Sequence, residues 1–99
     1  LDASTQRLLA RGQRLTELLK QGQYQPMPVE EQVVSIYAGT RGFLDTLPVS
    51  RIGEFEQQVL DTLRAEGSIL ASIREKREID KETDEKLKAF FADFVKKFA

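Results

Sequence analysis

The sequence predicts an all-α fold, an up-down antiparallel bundle of about four helices, on three observations. Apolar residues recur at spacings of three and four in four separate stretches. Helix-stopping residues fall between stretches: Gly22, Pro26 and Pro28 after the first, Pro48 after the second. No segment alternates with period two for long enough to form a strand.

Each helix has its own start and stop. The first opens at Asp2 or Ser4, both good N-caps, carries Leu8, Leu9, Leu15, Leu18 and Leu19 on one broad face, and stops at Gly22. The second has Pro28 in its first turn and Glu30 and Glu31 at the positive end of the helix dipole. Its Val29, Val33, Ile36, Tyr37, Thr40, Phe43, Leu44 and Leu47 follow the helical period until Pro48 ends it. The third is capped by Ser50 and presents Ile52, Phe55, Val59, Leu63, Ile69, Leu70 and Ile73, with a bend at Gly67. The fourth is capped by Asp80 and carries Leu87, Phe90, Phe91, Phe94, Val95 and Phe98. Connections of a few residues suit an antiparallel array.

Composition narrows the function. The chain makes one domain, 1–99, whose core buries only about 60–65% of the surface the unfolded chain exposes, so its stability is modest. A net charge of −1 with 31% charged residues argues against a nucleic-acid binder, which wants a one-signed basic surface. Without cysteine there is no disulfide or thiol chemistry, and without histidine the commonest metal ligand and the usual acid/base catalyst are missing. No apolar run approaches the roughly 20 residues of a membrane span, so no direct membrane insertion is expected. The chain opens on Leu1 rather than Met, as a fragment or processed product does.

The charged and aromatic residues read as structural. Glu30 with Glu31, and Glu54 with Glu56, are one and two apart and so diverge from a helix; helix-start charge accounts for them better than acid/base work. Gly39 and Gly42 each cost a helix about 0.8–1.0 kcal/mol against alanine, which a close helix crossing offsets. The run GTRG does not match a P-loop, G-x-x-x-x-G-K-S/T after a strand, and Arg41 within it is expected in a salt bridge. From Arg74 to Lys88 six basic and six acidic residues alternate closely, within a Debye length of ~8 Å, as on a solvated surface. The Phe-rich stripe of the last helix is read as core. No metal site is implied, since neither an EF-hand loop nor H-E-x-x-H is present.

The hinge after the first helix is chemically unusual, because Gln21 and Gln23 flank Gly22. Two readings stand at this point. The segment is a plain polar loop, or its carboxamides, each with one acceptor and two donors, match the donor/acceptor edge of a purine such as adenine.

The run LTELLKQGQY, followed by PxxxEEQVxxIYAGTRGFLD, resembles the C-terminal domain of the α subunit of the F-type ATP synthase. The likeness is most specific from Arg14 to Asp45, continues through LPVSRIGEFEQQVL, and loosens beyond Gly67. It implies a helical domain, and it implies that Gln21, Gly22 and Gln23 contact the adenine of the nucleotide at the non-catalytic site. It implies ATP or ADP with magnesium as ligand of the full-length subunit, with none bound tightly by this chain alone. No arginine here matches the one the family uses at the catalytic nucleotide, so no catalytic residue is expected and the chain by itself should be inactive.

The same resemblance implies β subunits and the central stalk as partners in proton-driven ATP synthesis. It implies a location peripheral to an energy-transducing membrane, either the bacterial inner membrane on its cytoplasmic side or the mitochondrial inner membrane on its matrix side. The segment LDAST, Leu1 to Thr5, aligns with a rotor-facing loop but lacks the acidic cluster found there in the β subunit. The domain is expected to lack its first helix, and the apolar surface so bared to make a homodimer of the chain. The alternative is a free-standing helical protein-interaction module with no nucleotide role; whether the parent reading frame continues upstream into a P-loop domain discriminates the two.

Overall fold

The computed structural model describes residues 2–24 and 27–98, with the side chains of 21–24 outside that description. The described residues form five α-helices: α1 (Ala3–Tyr24), α2 (Val29–Thr40), α3 (Ile52–Glu66), α4 (Ser68–Lys76) and α5 (Lys81–Phe98), with a 3₁₀ turn at Val49–Arg51 between α2 and α3. The all-helical expectation holds, and the third expected helix is two.

Caps place the helix starts. Asp2 Oδ1 accepts from the Thr5 amide at 2.7 Å and Asp80 Oδ1 from the Thr83 amide at 2.8 Å, each satisfying one of the free donors of a first turn. Ser50 makes no cap: α3 is entered through the 3₁₀ turn, closed by the Arg51 amide on Pro48 O at 3.0 Å. Pro28 precedes α2 rather than lying in its first turn. At α4 the Glu66 carboxylate takes the capping role, accepting from the amides of Ser68 and Ile69 at 3.1 and 3.2 Å.

Helix α2 stops at Thr40, not at Pro48. Gly42 takes φ +83°, the Phe43 amide reaches back to Ala38 O at 3.0 Å and the Gly42 amide to Gly39 O at 3.4 Å. That is the Schellman pattern of closure, completed by Phe43 stacking on Tyr37 with ring centroids 6.2 Å apart. Arg14 of α1 braces the turn that follows, donating Nε to Leu44 O at 2.8 Å and Nη2 to Leu47 O at 2.7 Å. Gly67, at φ +84°, ends α3 with its amide on Leu63 O at 2.8 Å and turns the chain directly into α4.

The two glycines of the GTRG region serve different ends. A Cβ at Gly39 would lie 2.4 Å from Leu15 Cδ2, so that glycine lets α1 cross α2 closely. Gly42 is instead the left-handed turn residue, under Arg11.

Around this frame Val34, Leu44, Leu47, Ile52, Phe55, Leu63, Leu87 and Phe91 are fully enclosed. The last helix puts Phe91 at the centre, with Phe90, Phe94, Val95 and Phe98 packed around the core as expected of a packing stripe. Helix α1 covers α2 and α3 on one side, α4 bridges α2, α3 and α5 on the other.

Candidate functional site

Helix α1 runs on through the QGQ segment to Tyr24, two residues past the stop expected at Gly22, so these residues form the last turn of α1 and not a hinge. Leu15 and Leu18, packed against the core, hold that end of α1 in place. The side chains of Gln21, Gly22 and Gln23 lie outside the described residues. Beyond α1 the chain is pinned again, because Gln32 donates Nε2 to Met27 O at 3.0 Å.

Next to this end of α1 lies a groove of about 370 Å³. Leu18 and Leu19 of α1, Ser35 and Ile36 of α2, and Glu56 of α3 line it, together with Met27 and Gln32. Leu19 and Ile36 form an open apolar rim, whereas Ser35 and Glu56 are buried, at 8% and 6% exposure. Among the described residues Glu56 Oε2 and Ser35 Oγ find no hydrogen-bond partner. Burial pushes the Glu56 carboxyl up from its ordinary value, and the Ser35 hydroxyl beside it offsets part of that rise without reaching hydrogen-bond geometry.

Glu56 is therefore a buried residue of α3 and not the helix-start charge that its sequence position suggests. Glu54 lies in the first turn of α3, within 3.5 Å of Arg51, but Glu56 shares the buried face with Ile52, Phe55 and Val59. Its signal was legible: a charge four residues after Ile52 and three before Val59 stands on the apolar stripe.

The other charged candidates are structural, as expected. Glu31 is buried and takes the Arg64 fork, Nη2 to Oε1 at 2.6 Å and Nε to Oε2 at 3.1 Å, while Glu30 faces Arg74 at 3.7 Å. Arg41 lies over the Tyr37 ring and 3.9 Å from Asp84. Among the described residues no three carboxylates, histidines or cysteines converge into a metal-holding group.

The family model for the ATP synthase alpha/beta chain, C terminal domain, matches residues 1–94. The chain belongs to that family. ATP synthase is a membrane-associated complex, and among the described residues of this domain no helix is long and apolar enough to cross a membrane. The family takes in both α and β chains.

Proposed function

We propose that the chain is the C-terminal domain of an ATP synthase α subunit, that it supplies Gln21, Gly22 and Gln23 as an adenine-contact edge to the non-catalytic nucleotide site, and that it forms scaffold facing the β subunits and the central stalk. The observation that carries this reading is QGQ at the end of α1 in a chain whose 94 matched residues belong to the family. Each glutamine amide can give a donor and an acceptor to the purine edge while Leu15 and Leu18 hold that end of α1 in place. On this reading the phosphates and magnesium fall to residues outside this chain.

Two such hydrogen bonds contribute about 0.5–1.5 kcal/mol each, so at most ~3 kcal/mol. Millimolar affinity needs ~4.1 kcal/mol before any ordering cost. The isolated chain should therefore show no saturable ATP binding below the millimolar range in calorimetry. Micromolar affinity would mean that the domain holds a complete nucleotide site and not an edge of one.

A further inference from the structure

We propose that the proton on Glu56 latches the C-terminal half of α1: with the carboxyl neutral Leu15 and Leu18 stay docked, and with it ionised that half of the helix swings away to admit water.

The carboxyl sits where no charge meets it. Glu56 is 6% exposed, and among the described residues its Oε2 finds no hydrogen-bond partner. Leu18 of α1, Ser35 and Ala38 of α2 and Phe91 of α5 close around it. No other ionisable side chain among the described residues lines that space or the groove beside it, and the sequence from 21 to 26 adds no charge. The charged groups on the surrounding helices pair elsewhere: Glu17 with Lys20 on α1, Glu31 of α2 with Arg64 of α3, Asp84 with Lys88 on α5. An uncompensated charge in such a place is costly, and burial accordingly pushes the carboxyl up from its ordinary value.

Relief requires a wall to move. The space beside the carboxyl is about 10 Å³, no more than one water needs and far short of a hydration shell. On α1, Leu18 is the described side chain that lines both this space and the open groove of about 370 Å³. The end of α1 is also the wall held least. The Arg64 fork on Glu31, at 2.6 and 3.1 Å, ties α3 to α2, and Tyr37 on Asp84 at 2.8 Å ties α2 to α5. The polar anchors of α1 to the rest of the domain, Arg11 on Asp45 and Arg14 on the Leu44 and Leu47 carbonyls, all precede Leu15. Past them, as far as Lys20, the hold rests on Leu15 and Leu18, while Leu19 is 61% exposed.

The sign follows from the raised carboxyl. The docked form is favoured in acid and loses ground as pH rises above the ordinary 4.5 toward the higher folded value. The last turn of the latched segment is QGQ, so the proton also sets how firmly the proposed adenine edge is held; that consequence rests on the reading above, and the latch does not.

The test is native-state hydrogen exchange of the 99-residue chain in graded low urea, near pH 4 and near pH 8, with the Glu56 carboxyl titrated by carbon NMR on the same protein. The amides of Leu15, Leu18 and Leu19 should open in a step of weak urea dependence, as a local opening does. Their protection, corrected for intrinsic exchange, should fall from acid to base by close to the factor by which the measured Glu56 ionisation constant is displaced from its ordinary value. In Glu56→Gln, and independently in Glu56→Met, protection in that step should be the same at both pH values. A local step in the unsubstituted chain that ignores pH would show that the carboxylate hydrates in place and overturns the latch. So does a fall confined to the strongly urea-dependent step shared with α3 and α5, a fall that persists in either variant, or a Glu56 carboxyl that titrates at its ordinary value.

Discussion

Tyr37 donates its hydroxyl to Asp84 Oδ1 at 2.8 Å, joining α2 to the first turn of α5 across 47 residues of sequence. Burial first, and then this hydrogen bond, push the Tyr37 phenol up to about 12. The bond from Tyr37, followed by that from Lys88, holds the Asp84 carboxyl below its ordinary value. Tyr37→Phe should cost about 1–2 kcal/mol of stability at neutral pH, since the ring stays and only the hydroxyl goes. The Asp84 contribution is present above the unfolded carboxylate value of 3.8 and lost as pH falls through the lower folded one, so the penalty should shrink in acid. Urea denaturation of both proteins across that range measures it, and a pH-independent difference would contradict the linkage.

The left-handed glycines offer a paired comparison. Gly42 and Gly67 have nearly the same φ, +83° and +84°, but a Cβ at Gly42 would meet Arg11 Nη2 at 2.7 Å whereas one at Gly67 meets nothing nearer than 4.0 Å. Gly67→Ala should cost about 1–2 kcal/mol for the conformation alone, and Gly42→Ala more. Thermal unfolding of the two variants decides it; equal losses would show that Arg11 moves aside freely.

The buried acid gives a prediction of opposite sign. Replacing Glu56 with the similarly sized Met should stabilise the isolated domain by about 1–3 kcal/mol at neutral pH, because an uncompensated buried charge is removed. Its folded value is raised, so the penalty on the wild type is absent below the ordinary 4.5 and grows as pH rises toward the folded value. The gain from Glu56→Met should therefore disappear in acid. Denaturation midpoints near pH 4 and pH 7.5 provide the check.

How the sequence misread these elements is itself physical. The helical period ran on through Phe43, Leu44 and Leu47 because the turn after α2 closes with bonds three residues apart, Asp45 amide to Gly42 O and Leu47 amide to Leu44 O, which bury side chains at nearly the spacing a helix does. Gly67 was legible as a break but not its sharpness, since only the backbone shows a left-handed residue starting a new helix at once. Asp2, Asp80, the Phe stripe and the divergent Glu30 and Glu31 were readable because capping and helical spacing are local. Glu56 was readable as a charge on the apolar stripe of α3, while the depth of its burial depended on the tertiary partner face. The role of Gln21 and Gln23 rested on resemblance, because two amides carry no unique chemistry.

Self-association should follow from the surface that the fold leaves open. Leu8 and Leu9 of α1 are 68% and 55% exposed and line one shallow groove with Gly12 and Val49. We propose that a second copy covers this face, since each such side chain gains roughly 1.5–3 kcal/mol on full burial. Light scattering at high micromolar concentration should report a mass above the 11.3 kDa monomer, returned to the monomer value by Leu8→Gln with Leu9→Gln. A strict monomer in the unsubstituted chain would contradict it.

The nucleotide edge is tested most directly by Gln21→Ala with Gln23→Ala in the full-length subunit assembled in its complex, with nucleotide occupancy of the non-catalytic sites and the unfolding temperature measured on the same samples. Occupancy should fall, by up to about 3 kcal/mol of binding free energy, while the unfolding temperature stays nearly constant, because the two amides are proposed to recognise and not to pack. Unchanged occupancy, with or without a loss of stability, would show that QGQ is only the end of a helix and that the domain contributes no contact to the nucleotide.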